Sequence, residues 1–176
     1  SPHTRKALDF LGKRTTPIAI NYRINTGQLD PNHWSNDLQI GGGRIVGECC
    51  HFIDFCSFVI GSDPVDYQFS YLDSNNNRLV HNNSISLVIK YADGSISNIN
   101  YYTNGNSNYP KERIEIFGNQ TVIEIDDFKR TKFISDKGNN SFSTRSSEKG
   151  HKEQLDTFFN TNENMDFNSL YKTSEM

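Results

Sequence analysis

The sequence predicts an α+β domain: an open, mainly antiparallel β-sheet with helices packed on one face. Three observations carry that expectation. Residues 44–60 repeat apolar side chains at helical spacing. From 65 to 135, short alternating segments follow one another, parted by turn dipeptides such as Asp93-Gly94 and Gly118-Asn119. Flanking helical segments at 3–13 and 151–160 then close the sheet on one side. The 176 residues are enough for one domain with its own core, taken as 1–176.

The first helix, 3–13, has Ala7, Leu8 and Leu11 on one side and Gly12 near its end. Pro17 opens a strand over 18–25, in which Ile18, Ile20, Tyr22 and Ile24 alternate with other residues. Residues 26–42 form a long polar loop that holds the only Trp, Trp34. Loops of this length are uncommon unless they carry function or lack order. A lone Trp there commonly serves as a local anchor, and this one stands shortly before a glycine turn.

That turn, Gly41-Gly42-Gly43, runs straight into the helix 44–60. Its apolar stripe is Ile45, Cys49, Phe52, Ile53, Cys56, Val59 and Ile60. Glu48 and His51 lie three apart, so they are neighbours on the helix surface, beside Gly47 and Arg44. A glycine inside a helix costs about 1 kcal/mol against alanine, which predicts close packing against that turn. Geometry alone leaves two readings open. Either a rigid helix presents a polar site, or Gly47 serves packing and His51 is a boundary histidine.

The later strands are expected at 65–72, 84–91, 95–103, 113–117, 121–125 and 128–135, with a turn at 73–77. In 84–91, Ile85, Leu87 and Ile89 mark a buried face. Residues 136–149 are rich in Gly, Ser, Asn and Lys and read as a mobile loop. The helix 151–160 is expected to turn Leu155, Phe158 and Phe159 inward. Phe69, Tyr71, Tyr91, Tyr101 and Tyr102 give the sheet more aromatic surface than one layer of helices covers. The expectation is a homodimer or higher homo-oligomer through the open sheet face.

Composition excludes several classes. The formal net charge of -3, with no basic stripe, argues against a nucleic-acid partner. No apolar run approaches the roughly 18 residues of a membrane helix. No apolar leader opens the chain. Three Cys clustered at 49, 50 and 56 do not make a disulfide framework, so reduced thiols and a cytoplasmic location are expected. No metal centre is expected from Cys49, Cys50, His51 and Cys56, because adjacent helix residues point about 100° apart. The first residue is not Met, and the expectation is a fragment.

The runs Tyr22-Arg23-Ile24-Asn25, Gly41-Gly42-Gly43, His51-Phe52-Ile53-Asp54 and Pro110-Lys111-Glu112-Arg113-Ile114-Glu115-Ile116-Phe117-Gly118 carry a resemblance. Their order and spacing resemble the C-terminal domain of the glucose–fructose oxidoreductase / inositol dehydrogenase / MocA family, from residue 1 to about 168. The run Lys149-Gly150-His151-Lys152-Glu153-Gln154 resembles a branch linked to bacterial surface-polysaccharide biosynthesis. The resemblance implies the substrate and oligomerisation domain of a two-domain, NAD(P)-dependent oxidoreductase of sugars, sugar nucleotides or cyclitols. The family's Rossmann half, with the Lys of its Glu-Lys-Pro motif, is absent from this chain. No strand here leads into G-x-G-x-x-G. NAD or NADP is therefore expected to bind mainly outside the chain, which alone is expected to be inactive.

The resemblance also implies roles. His51 falls at the family's histidine and is the expected catalytic base for a substrate hydroxyl, a task suited to imidazole. The family's aspartate falls at Gly47, a departure. Glu48 either takes over that polar role from the next position or faces solvent. Asn25 and Arg23 are weaker substrate-binding candidates. Arg44 is a candidate for a phosphate or carboxylate, or else a solvated residue at the helix start. Asp54 is expected to hydrogen-bond structurally, and His3, His33 and His81 have no supporting context. The alternative is a non-catalytic carbohydrate-binding or assembly module of the same fold, or a pseudoenzyme, motivated by the missing acid at Gly47.

Overall fold

The computed structural model describes residues 1–30, 32–37, 39–72, 83–151, 153 and 155. Strand β1 (Ala19–Asn25) lies inside an eight-stranded sheet of order β2-β3-β4-β1-β5-β6-β7-β8. Its partners are β4 (Ile96–Tyr102), parallel, and β5 (Glu112–Gly118), antiparallel. The remaining strands, β2 (Pro64–Tyr71), β3 (Ile85–Tyr91), β6 (Thr121–Asp126), β7 (Arg130–Ser135) and β8 (Gly138–Ser143), pair antiparallel with their neighbours. The sheet is thus open and mainly antiparallel, as expected, with one parallel pair at its middle.

Alternation in the strands decides which face the helices cover. Ile20, Tyr22 and Ile24 of β1 point to the helix side and are buried. Register places Ile99 and Ile114 beside Tyr22 on the same face. Helix α1 (Pro2–Leu11) packs on β6 and β7, and helix α2 (Arg44–Ile60) packs on β4. From the predicted stripe of α2, Cys49, Phe52, Ile53, Cys56, Val59 and Ile60 are buried and Ile45 is half-buried. Gly61 closes the helix with φ +65°, a left-handed cap that glycine adopts without strain. No helix among the described residues is long and apolar enough to cross a membrane.

Among the described residues no helix packs on the opposite face, which is arranged in rows. Register aligns Ile96, Ala19, Phe117, Val122 and Ile134 across five strands. The next row is Asn98, Asn21, Glu115, Glu124 and Lys132. Arg113 binds Glu115, Glu124 and Asp126, with its closest contact 2.7 Å to Asp126. Of the aromatic residues expected on this face only Tyr102 has its parity: Phe69 and Tyr71 pair with Leu87 and Ile85 on the helix-side face, exposed on edge strand β2, and Tyr91 and Tyr101 do not belong to the open face either. Both are buried under the helices, because strand parity places them with Ile89 and Ile99.

Two other expectations are corrected. Residues 138–143 form strand β8, not a loop. As an edge strand, β8 needs no apolar alternation: only Phe142 turns inward, onto the His3 ring at 4.9 Å. Leu155, expected inward, is 57% exposed on its helical turn. The turn 73–77, His81, Phe158 and Phe159 lie outside the described residues.

Candidate active site

Strands β1 and β4 end side by side, Asn25 opposite Tyr102. The backbone continues the pairing, with Thr26 N–H donating to the Tyr102 carbonyl at 2.9 Å. The carboxyl ends of parallel strands are a general location for ligand crevices, since loops and helix starts converge there. Helix α2 begins above this end.

Arg44, the first residue of α2, is 4% exposed. Its guanidinium donates to the Gly27 carbonyl at 2.9 Å and to Glu48 Oε1 at 3.4 Å, and stands 5.7 Å from the Tyr101 ring centre. Its backbone N–H donates to Asn83 Oδ1 at 3.3 Å. Of the two readings of Arg44 the solvated one is excluded: it is a buried cation tying α2 to the end of β1. A charge so buried persists only when paired.

Glu48 is half-buried beside it. The Tyr101 hydroxyl, near Glu48 and Thr26, is buried without a hydrogen-bond partner. Burial raises its pKa above the usual phenol value, and the Glu48 carboxylate adds to the rise. His51 is exposed one turn further on and meets no hydrogen-bonding partner among the described residues. Gly47 is exposed, and a Cβ there would meet only the Gly41 carbonyl oxygen, at 3.9 Å. The close packing expected at Gly47 is absent. Asp54 is exposed and makes no hydrogen bond among the described residues, contrary to its expected structural role.

Beneath α2 a second polar group lies in the core. The Tyr22 hydroxyl and the Lys149 ammonium both donate to the Glu112 carboxylate, one to each oxygen. Glu112 is 3% exposed. Burial first, and Glu112 second, hold the Tyr22 pKa well above the usual phenol value, so Tyr22 keeps its proton and donates it to Glu112. Phe52 of α2 sits between the two groups, 5.2 Å from the Tyr22 ring and 5.9 Å from the Tyr101 ring. The sequence carried a signal for this group: Glu112 shares the parity of Ile114 and Ile116, a carboxylate at a core position.

Arg23 and Asn25 are placed apart from His51. Both have open-face parity, and Asn25 is buried at the strand end. Asn25 Nδ2 donates to the Asn106 carbonyl at 2.8 Å, and Arg23 donates to the Pro110 and Lys111 carbonyls while covering the Tyr109 ring at 4.7 Å. Together they brace the 104–110 loop. That loop and Gln28 line a polar cleft of about 400 Å³, formed by Asn104, Gly105, Asn106 and Ser107. His33 caps the short 3₁₀ turn Trp34–Asn36 by accepting from the Ser35 N–H.

The chemistry available is that of an exposed imidazole on a helix whose other face is locked, with a carboxylate one turn away. All three thiols are free. Burial pushes the Cys49 and Cys56 thiols up to about 12, whereas Cys50 is half-buried. Among the described residues no cluster of three or more His, Cys, Asp or Glu side chains could hold a metal ion. Nor do the residues at the helix start fit a dinucleotide. Arg44 is committed to Gly27 and Glu48, and no strand leads into Gly41-Gly42-Gly43.

A family model for an oxidoreductase family, C-terminal alpha/beta domain, matches residues 15–175. Among curated proteins, none matches this sequence. Among solved structures, an oxidoreductase from Thermotoga maritima superposes with a TM-score of 0.72 at 14% identity, covering 99% of this chain and 55% of that one. A UDP-N-acetylglucosamine 3-dehydrogenase from Acidithiobacillus ferrooxidans gives 0.65 at 14% identity, covering 89% and 51%. An NAD binding oxidoreductase from Klebsiella pneumoniae gives 0.66 at 15% identity, covering 99% and 52%. At such identity the likeness shows a shared fold, and this chain spans about half the length of those structures.

Proposed function

Because the chain belongs to the Gfo/Idh/MocA oxidoreductase family, as its C-terminal α/β domain, we propose that it is the substrate-binding and oligomerisation half of an NAD(P)-dependent dehydrogenase. The substrate class is sugars, sugar nucleotides or cyclitols, in carbohydrate or polysaccharide metabolism in the cytoplasm. Support for a sugar comes from the relative described as a UDP-N-acetylglucosamine dehydrogenase, and for the cofactor from the relative described as NAD binding. Among the described residues no strand leads into the glycine turn, so the reading assigns cofactor binding to a domain outside the chain. The chain alone is then inactive.

The observation that carries this reading is His51. Its imidazole is exposed and unpaired among the described residues, on a helix held rigid by its buried face. In the proposed reaction it takes the proton of a substrate hydroxyl. Glu48, anchored by Arg44, orients the imidazole or binds a neighbouring hydroxyl. The test is nicotinamide reduction by the full-length protein over a panel of sugars and sugar nucleotides. We expect His51→Ala to lower kcat by about 10²–10⁴-fold, the usual contribution of a positioned base. Unchanged turnover would remove His51 from the mechanism.

The open sheet face is the proposed interface of a homo-oligomer. Its apolar row supports that reading: Ile96 and Phe117 are each 40% exposed within a row that crosses five strands. Sedimentation of the full-length protein with Phe117→Glu should shift it towards monomer. A second reading, a pseudoenzyme, is favoured by Gly47, where the resemblance places an acid. It predicts a full-length protein that binds dinucleotide and turns over none of the panel.

A further inference from the structure

Trp34 is 62% exposed, although it is the largest apolar side chain in the protein, and yet it is fixed. Its 3₁₀ turn is closed by Asp37 N–H donating to the Trp34 carbonyl at 3.1 Å and capped by His33. Gly41 packs directly against it. A Cβ at Gly41 would fall 2.6 Å from the Trp34 carbonyl oxygen, 2.8 Å from Ser35 Cα and 3.2 Å from Trp34 Cε3. Such distances are too close for any side chain, so the glycine is required by the tryptophan's placement. Asn83 ties the same turn to the helix start, donating to Asn36 Oδ1 at 3.3 Å and accepting from the Arg44 N–H. An anchoring tryptophan would bury its rings. This one is held rigid with much of its surface left to solvent, beside the start of α2.

We propose that Trp34 is a stacking platform for the ring of the substrate sugar; this deepens the carbohydrate reading above and rests on it. The surroundings favour a neutral sugar over other occupants. Residues 26–43 contain two aspartates and no Lys or Arg, so the loop repels phosphate and carboxylate groups. Asp37 uses only its Oδ1 within the turn, and the exposed Gln39 amide makes no hydrogen bond of its own among the described residues, so both can meet hydroxyl groups around an apolar ring face. An indole combines apolar area with few rotatable bonds, so a sugar can stack on it without ordering the site anew. The apolar flank, Ile40 and Val46, is small, which suits a single ring better than a protein surface.

The experiment uses the full-length protein as wild type, Trp34→Phe and Trp34→Ala. The probes are glucose, myo-inositol, UDP-N-acetylglucosamine and UDP. Trp34 fluorescence is read as the difference between wild type and Trp34→Phe during titration. A Trp34-dependent change with a sugar or cyclitol, larger than with UDP, supports the platform. An equal change with UDP shows the indole stacking on the base, and overturns it. No Trp34-dependent change with any probe also overturns it. In turnover with an accepted substrate, Trp34→Ala should raise KM about tenfold with kcat within a few-fold, and Trp34→Phe should retain most of the affinity. An unchanged KM in a folded Trp34→Ala overturns the proposal. A wild type that reduces no nicotinamide removes the dehydrogenase reading instead, and the fluorescence comparison still decides on Trp34.

Discussion

Arg44 donates to the carbonyl oxygen of Gly27 at 2.9 Å, and that bond joins the first turn of α2 to the chain leaving β1. Between Gly41, which packs on the Trp34 turn, and α2 the chain passes through two further glycines. Gly42 and Gly43 take φ of +69° and +85°, conformations open to glycine. The buried arginine therefore sets where the helix starts, and with it the height at which Glu48 and His51 stand over the sheet.

Removing this guanidinium leaves the buried Gly27 carbonyl with only the long 3.5 Å contact from the Thr26 hydroxyl. An unsatisfied buried acceptor costs about 1–3 kcal/mol. Arg44→Met is expected to lower stability by that amount in urea unfolding, with a lower midpoint at unchanged slope. An unchanged midpoint would mean that the arginine is free for a ligand after all.

Gly47 and Gly105 should respond oppositely to alanine. At Gly47 the helix has room, and the substitution removes the helix cost of glycine, a gain of about 1 kcal/mol. At Gly105 a Cβ would overlap Asn25 Oδ1, the side chain that braces the 104–110 loop. Gly105→Ala is expected to destabilise and to widen the cleft. Thermal unfolding of both variants checks the pair: a gain at Gly105 would mean that Asn25 is free to move.

The elements were legible where periodicity is strong. The stripe Cys49, Phe52, Ile53, Cys56, Val59 and Ile60 gave α2 its correct bounds, and alternation found β1 and β3 to within a residue. Strand β8 escaped because its Gly, Asn and Ser residues sit at an edge, where burial asks for no pattern. The parity of Tyr91 and Tyr101 was visible, but the insertion of β1 between β4 and β5 was not, since pairing between distant strands leaves no local trace. At the candidate site, the exposure of His51 follows from its place off the apolar stripe of α2, while its role was read from the resemblance alone. The Tyr22–Glu112–Lys149 group was missed because its members are 90 and 37 residues apart from Glu112.

The three thiols should separate by accessibility. Burial holds Cys49 and Cys56 as protonated thiols, with pKa values pushed up to about 12. The thiolate is the reactive form. A thiol reagent at pH 8 is expected to modify half-buried Cys50 first, and the other two only on unfolding. Mass spectrometry of the native and urea-treated protein distinguishes the sites. Rapid native labelling of Cys56 would show that α2 lifts from the sheet.

His3 makes the acid limb of stability testable. It is fully buried, with Nδ1 2.7 Å from Thr131 Oγ1 and Nε2 3.0 Å from Thr144 Oγ1. Its spacing with Ala7 and Leu11 places it on the inward side of α1, which it pins to the β7–β8 end of the sheet. Burial lowers its pKa below the ordinary 6.5, outweighing the opposite pull of Glu148. The folded state therefore favours the neutral ring, and between the folded pKa and 6.5 the unfolded chain binds more protons. By linkage, stability rises with pH across that window. The contribution is complete above 6.5 and is lost as pH falls towards the folded value. Urea unfolding from pH 8 to pH 5 should show wild type losing stability below 6.5 more steeply than His3→Gln, which has no proton to take up there. Equal slopes would mean that protonated His3 is accommodated where it sits, with both ring nitrogens donating to the threonine hydroxyls.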